Sequence, residues 1–306
     1  MIDVIIHHDA DPDGIWCGAI ARKANPEAVL LGYNYEPDFD KFFDVCKGKN
    51  VAMLDVSPKD IDDLFVLCSK AENVVWIDHH ETAKTSFEGR IAQGNTIGNN
   101  LKIVYEGGKW GAARATWKHF FPGEPIPASV RYVADYDVFR SRHTVPKYWD
   151  INIYPFRLVS NLMTVEDVLA QFLSETYDVS HQHLSDGQAI SRYLTKQNTF
   201  VVNEPSLCWK SMFWCPNTTQ FVVAVTNGHF APDMFRDYGD PNGVDFFVAY
   251  KNTANGWAVQ LRKSNDKSPN LALIAKQFGG GGHSFSAGFG IKTFKGLSKI
   301  ITNLER

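Results

Sequence analysis

Residues 5 to 14 read IIHHDADPDG, so two histidines and three aspartates directly follow a run of isoleucine and valine. Carboxylates this close repel one another, and the cluster destabilises a fold unless water or a cation neutralises it. Two further groups of the same character stand downstream, Asp55 in MLDVSP and the triplet Asp78, His79 and His80 in VVWIDHHET. Each follows a short apolar run of the kind that forms a buried strand. Carboxylate and imidazole donors together suit Mn²⁺ or another borderline first-row metal, whereas carboxylates alone suit Mg²⁺ and thiolates suit zinc. A site that grips divalent cations is the chemistry expected here.

The elements that must position these residues are legible as alternating patterns. Apolar runs at 4–6, 28–31, 51–54 and 74–77 read as buried parallel strands, and the segments 15–24, 39–46 and 61–71 between them carry helical periodicity. Such a βαβ series predicts an α/β fold with a doubly wound, mainly parallel sheet, whose ligands collect beyond the carboxyl ends of the strands. A strand at 101–105 and helices at 111–121 and 129–135 continue the unit. From 161 to 200 the pattern becomes helical (VEDVLAQFL, then DGQAISRYLTK) and reads as a linker. Strand-like segments at 219–226, 244–250 and 256–261 then precede a helix at 271–278, with Ser268 as its N-cap and Pro269 at its first position. The expected organisation is a domain over 1–160, a helical linker over 161–200 and a smaller mixed α/β domain over 201–306.

Bulk composition narrows the function. The chain has 306 residues, 44% hydrophobic and 21% charged, with a formal net charge of -3, the profile of a soluble globular protein. That charge argues against a protein that coats long duplex nucleic acid, and leaves room for a local basic groove around a short anionic ligand. Five cysteines without a C-x-x-C pair read as reduced thiols in a cytoplasm. The first residues hold neither a basic region nor a long apolar run, so no signal peptide and no membrane span are expected.

Taken in order, the motifs resemble those of the DHH phosphoesterases, a family that includes RecJ-type exonucleases, nanoRNases, cyclic-dinucleotide phosphodiesterases and family II inorganic pyrophosphatases. The H-x-x-x-D-x-D spacing of His7, Asp11 and Asp13 matches the first family motif, Asp55 the second, and Asp78 to His80 the third. The fourth is an aspartate after a helix, here in RYVADYDVF, where Asp135 fits better than Asp137. QFGGGGHSFSAGF is similar to the glycine-rich signature of the DHH-associated domain, and W-x-x-F-F-P-G-E-x-x-P ahead of RYVADYDVF looks like the nanoRNase B branch.

The resemblance implies a centre of two divalent cations, Mn²⁺ foremost with Mg²⁺ or Co²⁺ as alternatives. His7, Asp11 and Asp55 would hold one ion, and Asp13, His79, Asp135 and a bridging Asp55 the other. His80 would face the substrate phosphate, and Asp78 would orient a histidine. The second domain would clamp the substrate with the backbone of Gly281 and Gly282, with His283 and Arg262, and more loosely with Asn227. The implied reaction is hydrolysis of short oligonucleotides from one end, by a hydroxide that the two metals activate in a cleft between the domains. Other readings are a phosphatase or phosphodiesterase on a small nucleotide such as 3′-phosphoadenosine 5′-phosphate or a linear dinucleotide, a polyphosphatase, and a non-catalytic nucleotide sensor.

Other conspicuous residues have plainer explanations. Asp9 and His8 read as loop formers, and His119, His143, His181, His183 and His229 show no partner pattern. Trp110, Trp117, Phe120 and Phe121 fall at helical spacings and read as core. Arg140 and Arg142 have phosphate contact and surface solvation equally open to them, while Tyr136, Phe139 and Phe285 flank motifs without demanding a role.

Overall fold

A computed structural model describes residues 1–35, 39–138, 145–173, 179, 181–217, 219–228, 235 and 238–302. Arg140, Arg142, Phe139, His143 and His229 lie outside the described residues. The chain divides into two compact units, Met1–Ser191 and Arg192–Arg306.

The first unit opens with β1 (Val4–His8), α1 (Pro12–Ala24) and β2 (Val29–Tyr33), followed by α2 (Phe43–Cys46) and β3 (Asn50–Leu54). Then come α3 (Asp62–Lys70), β4 (Asn73–Asp78), α4 (Glu81–Ala92), β5 (Leu101–Tyr105), α5 (Ala112–Phe120) and α6 (Ala128–Asp137). The five strands form one parallel sheet in the order β2-β1-β3-β4-β5. Successive side chains of β1 feed opposite cores: Ile5 packs with Trp16, Ile20, Ile77 and Trp117, while Val4 and Ile6 pack with Tyr33, Met53 and Trp76. Burial on both faces is why these strands read as unbroken apolar runs, and it is the doubly wound arrangement expected from the sequence. Strand order reverses between β1 and β3. A crevice therefore opens beyond their carboxyl ends, where ligands of such sheets bind.

The first unit continues through α7 (Pro146–Tyr148), α8 (Tyr154–Ser160) and α9 (Val165–Leu173), and α10 (His181–Asn203) carries the chain across the division. The segment expected as a linker is in part core. Val165, Val168 and Phe172 of α9 are buried with the first unit's hydrophobic cluster, and the Phe172 ring meets Trp16 edge-on at 5.4 Å. An amphipathic helix without strand neighbours looks like a connector in sequence, but its apolar stripe needs a surface, and α1 provides it.

In the second unit β6 (Cys208–Trp214), β7 (Gln220–Asn227), β8 (Phe246–Thr253), β9 (Gly256–Lys263), β10 (Gly281–His283) and β11 (Ser286–Ile291) form a sheet in the order β10-β11-β9-β8-β7-β6. Only β7 and β8 pair in parallel, so this sheet is mixed as expected. It packs with α11 (Leu271–Lys276) and α12 (Phe294–Ile300) around Phe213, Phe246, Leu261 and Leu297. The N-cap of α11 is Asn270, not Ser268: Asn270 Oδ1 accepts from the amides of Ala272 at 3.1 Å and Leu273 at 3.4 Å. Ser268 instead ties the preceding loop, its Oγ accepting from Ser264 N at 3.1 Å. All five cysteines are free and buried. No helix among the described residues is long and apolar enough to cross a membrane.

Candidate metal centre

Three neighbouring strands deliver the motif residues to one rim. His7 lies near the end of β1, Asp55 directly follows β3, and Asp78 closes β4, with His79 and His80 next in the chain. Asp55 occupies the left-handed backbone region at φ 57°, which non-glycine side chains seldom adopt. Its amide donates to Ile77 O at 2.8 Å, locking the bend. Strain of this kind persists where the surroundings fix a residue for a purpose, and here it re-aims a carboxylate at the sheet's end.

His79 is the hub. Its Nε2 lies 3.1 Å from Asp137 Oδ2, 3.2 Å from Asp55 Oδ1 and 4.0 Å from Asp13 Oδ2. Asp13, on the first turn of α1, is itself cradled by the start of α5: its Oδ2 accepts from Ala112 N at 2.6 Å and its Oδ1 from Ala113 N at 3.2 Å. Those amides are the unsatisfied donors of a helix N-terminus, whose dipole favours an anion. Gly111 permits the approach, because a Cβ there would stand 2.7 Å from the backbone of Ala134 and 2.9 Å from Asp13 Oδ2.

The third motif is organised by Asp78. Its Oδ1 lies 2.7 Å from His80 Nδ1 and accepts from the amides of His79 at 2.7 Å and His80 at 3.1 Å. A carboxylate on Nδ1 fixes the ring and directs Nε2 outward. His7 is set similarly, with Nδ1 2.9 Å from His8 O and its ring against Gly18, where a Cβ would stand 2.9 Å from the ring. Asp11 caps α1, its Oδ1 accepting from Gly14 N at 3.1 Å. His8 Nδ1 lies 3.2 Å from Tyr33 O, a structural contact.

The electrostatics are those of carboxylates crowded out of water. Burial, with Asp55 and Asp137 close by, holds the Asp13 carboxyl well above the ordinary carboxylate range. Burial does the same to Asp55, with the charge on Asp11 adding to it. Burial works against a charged His79, yet Asp137, Asp13 and Asp78 together raise it; the same contest at His80, won by Asp78, lifts that ring to about 9. At Asp78 burial pushes upward, but its pairing with His80 prevails and the carboxyl is held low. Asp55 Oδ1 is buried and meets His79 Nε2 at 3.2 Å without a well-formed hydrogen bond, so its lone pairs remain open to a cation. Carboxylate oxygens and imidazole nitrogens of Asp13, His79 and Asp137 lie close enough to share one ion, as do those of Asp55, Asp78 and His80. The donor set fits a divalent cation.

At the fourth motif Asp137 Oδ2 is the carboxylate oxygen beside His79 Nε2, and α6 runs to Asp137, two residues beyond the end read from the sequence. Asp135 lies on the same last turn with its Oδ1 buried. Tyr35 is a second non-glycine residue at positive φ, 59°, and its ring lies 5.7 Å from that of His8. In sequence it was only a residue of the polar turn after β2.

In the second unit Arg262 of β9 donates to Ser286 Oγ across to β11, to Gln260 Oε1 at 3.2 Å and to Leu261 O at 3.2 Å. His283 stacks on Phe285, with centroids 5.2 Å apart and planes 7° off parallel. Three of the four positions favour glycine, one for its backbone conformation alone and two for close contacts. Gly279 has φ 77°, a Cβ on Gly280 would stand 2.1 Å from Gly288 O, and Gly282 combines φ 130° with a 2.6 Å clash against Ser286 O. Gly281 has neither a positive φ nor a close neighbour. Asn227, exposed, ends β7 opposite Tyr250.

The parallel sheet with the motif residues at its carboxyl rim, followed by a second, mixed sheet, is a fold also seen in solved proteins. This fold is shared with PggH, a pGpG-specific phosphodiesterase from Vibrio cholerae, at a TM-score of 0.51 and 11% identity over 98% of this chain and 96% of that one. It is shared too with RecJ from Thermus thermophilus, solved in complex with Mn²⁺, at a TM-score of 0.54 and 14% identity over 94% of this chain and 49% of that one. In sequence, the uncharacterized protein R106 of Acanthamoeba polyphaga mimivirus is 26% identical over 313 residues, covering 97% of this chain and 69% of that protein. No family model matches the chain.

Proposed function

We propose that the protein is a divalent-metal-dependent phosphoesterase that hydrolyses short oligonucleotides from one end to nucleoside monophosphates. The convergence of Asp13, Asp55 and Asp137 on His79, from four separate segments and largely out of water, carries this reading. His7, Asp11 and Asp55 would hold one cation and Asp13, Asp55, His79 and Asp137 the other, with Mn²⁺ favoured by the mixed donors. Bound there, the cations would offset the carboxylate repulsion and acidify a water for attack on phosphorus. His80, oriented by Asp78, presents its other ring nitrogen to a phosphate oxygen. Arg262, His283 and the amides of Gly281 and Gly282 bind the phosphate or terminal nucleotide that sets the cutting from an end, and Asn227 adds a polar contact.

Hydrolysis of a linear dinucleotide is the second reading, supported by the match to PggH along almost the full length of both chains. The test is incubation with Mn²⁺, Mg²⁺ or Co²⁺ of a labelled five-nucleotide RNA, pGpG, 3′-phosphoadenosine 5′-phosphate and tripolyphosphate, each separately. Stepwise shortening of the RNA to monophosphates is expected. Cleavage of pGpG alone would select the second reading. Inertness toward all four with every metal would leave a nucleotide sensor and refute the hydrolase.

A further inference from the structure

Beside the Asp78–His80 pair, on the side of the edge strand β5, the first unit carries a pocket that no step above uses. Its inner surface is Trp76, 2% exposed, and Phe87, 8% exposed, whose rings meet edge-on at 5.8 Å. Ile103 and Tyr105 of β5 form a wall, and Ile103 is 41% exposed despite being aliphatic. At the mouth stand Lys84 and Glu88 from one face of α4, 3.5 Å apart, with the Lys84 ammonium 4.6 Å from the centroid of the Tyr105 ring. Asp78 and His80 close the remaining side.

We infer that this pocket binds a nucleobase of the substrate next to the phosphate that His80 contacts. The inference deepens the phosphoesterase reading and rests on it. Three properties select a base over other occupants. The interior is aromatic and aliphatic, which suits a flat π-surface and gives a bare phosphate or a sugar little to bind. The mouth pairs one cationic donor with one carboxylate acceptor, the complement of a base edge that presents a ring or exocyclic N–H beside a carbonyl or ring nitrogen. The pocket also shares His80 with the candidate centre, so an occupant would lie beside the phosphate that His80 is proposed to contact. Lys84 and Glu88 satisfy each other when the pocket is empty, so entry of a base exchanges one weak, solvent-screened pair for two contacts to the ligand.

The test is binding without catalysis. With the protein kept in chelator, ligand-observed saturation-transfer NMR is recorded for guanosine, adenosine, cytidine and ribose separately. Saturation is expected on the base protons of at least one nucleoside, with none on ribose. Ile103→Trp, a half-exposed position where a larger ring fills the pocket, is expected to weaken that nucleoside's binding at least tenfold, and Lys84→Ala, at an exposed position, about threefold or more. Signals from ribose equal to those from nucleosides, nucleoside binding unchanged in Ile103→Trp, or no nucleoside binding to the unaltered protein would each overturn the assignment. Because no turnover is read, these outcomes are separate from those of the hydrolysis assay: a nucleotide sensor would still pass this test, and a phosphoesterase without the pocket would fail it.

Discussion

His79 and Asp137 meet at 3.1 Å between Nε2 and Oδ2, joining the loop after β4 to the last turn of α6. Asp137→Ala is therefore expected to weaken Mn²⁺ binding about 100-fold and to remove turnover, whereas Asp135→Ala should change affinity by less than about threefold. Calorimetric titration of both variants with Mn²⁺ decides; the reverse ranking would return the fourth ligand to Asp135.

Asp55 should show a trade of function against stability. Its carboxyl is raised by burial and by Asp11, so the cost of ionising it opposes folding in full above its folded-state pKa, shrinks as pH falls below that pKa, and is gone only below the ordinary carboxylate pKa of the unfolded chain. Asp55→Asn removes the charge, and asparagine tolerates the φ of 57°. In chelator the variant should melt about 3–6 °C above the parent at pH 8, roughly 1–2 kcal/mol, with the gap closing as pH falls. Activity should vanish. A gap that widens on acidification would contradict the assigned cause.

Cation binding should also stabilise the unaltered protein. With Mn²⁺ at about 100 times its dissociation constant, a gain on the order of 3 kcal/mol is expected, read as a rise of roughly 5–10 °C in melting temperature. The rise at a fixed Mn²⁺ concentration should be smaller at pH 6 than at pH 8, because protons compete for carboxyls whose pKa values are elevated. Differential scanning fluorimetry across that range, with Mg²⁺ and Co²⁺ in parallel, also ranks the metals.

Gly111→Ala tests the cradle around Asp13. The added methyl would stand 2.7 Å from the backbone of Ala134 and 2.9 Å from Asp13 Oδ2, so α5 must shift or Asp13 must turn. Urea unfolding should show a loss of about 1–3 kcal/mol, accompanied by weaker Mn²⁺ binding. Lost stability with metal affinity intact would mean that the cradle supports α5 alone.

Arg262→Lys probes the proposed substrate clamp. The guanidinium fans across Ser286, Gln260 and the Leu261 carbonyl, a geometry that a single ammonium cannot reproduce. KM for a short oligonucleotide should rise about tenfold with kcat within about twofold. A fall confined to kcat would place the residue at the chemical step instead.

The parallel sheet and its rim were legible because buried parallel strands leave continuous apolar runs, and because acids that follow such runs have few structural reasons to gather. Asp13, Asp55 and His79 were found by residue type and position alone, and the structure brings them together. The contact of Asp137 with His79 was harder to read, because helix ends are weakly encoded and α6 runs two residues further than its sequence pattern indicates. The role of α9 was hidden because a helix's sequence reveals that it has an apolar face and not what that face meets. β6, β10 and β11 escaped for a related reason. They belong to a mixed sheet in which register and pairing depend on distant partners, and β10 is three residues of which two are glycine.

The five thiols offer a practical opening. Every cysteine is buried, and burial pushes each of them up, to about 11 for Cys46 and Cys208 and about 12 for Cys68. Thiolate is the reactive form, so the native fold is nearly silent toward maleimides near neutral pH. A single cysteine engineered at an exposed position such as Leu162, 74% accessible, would then be the one handle that a dye or spin label finds, with no native thiol needing to be removed.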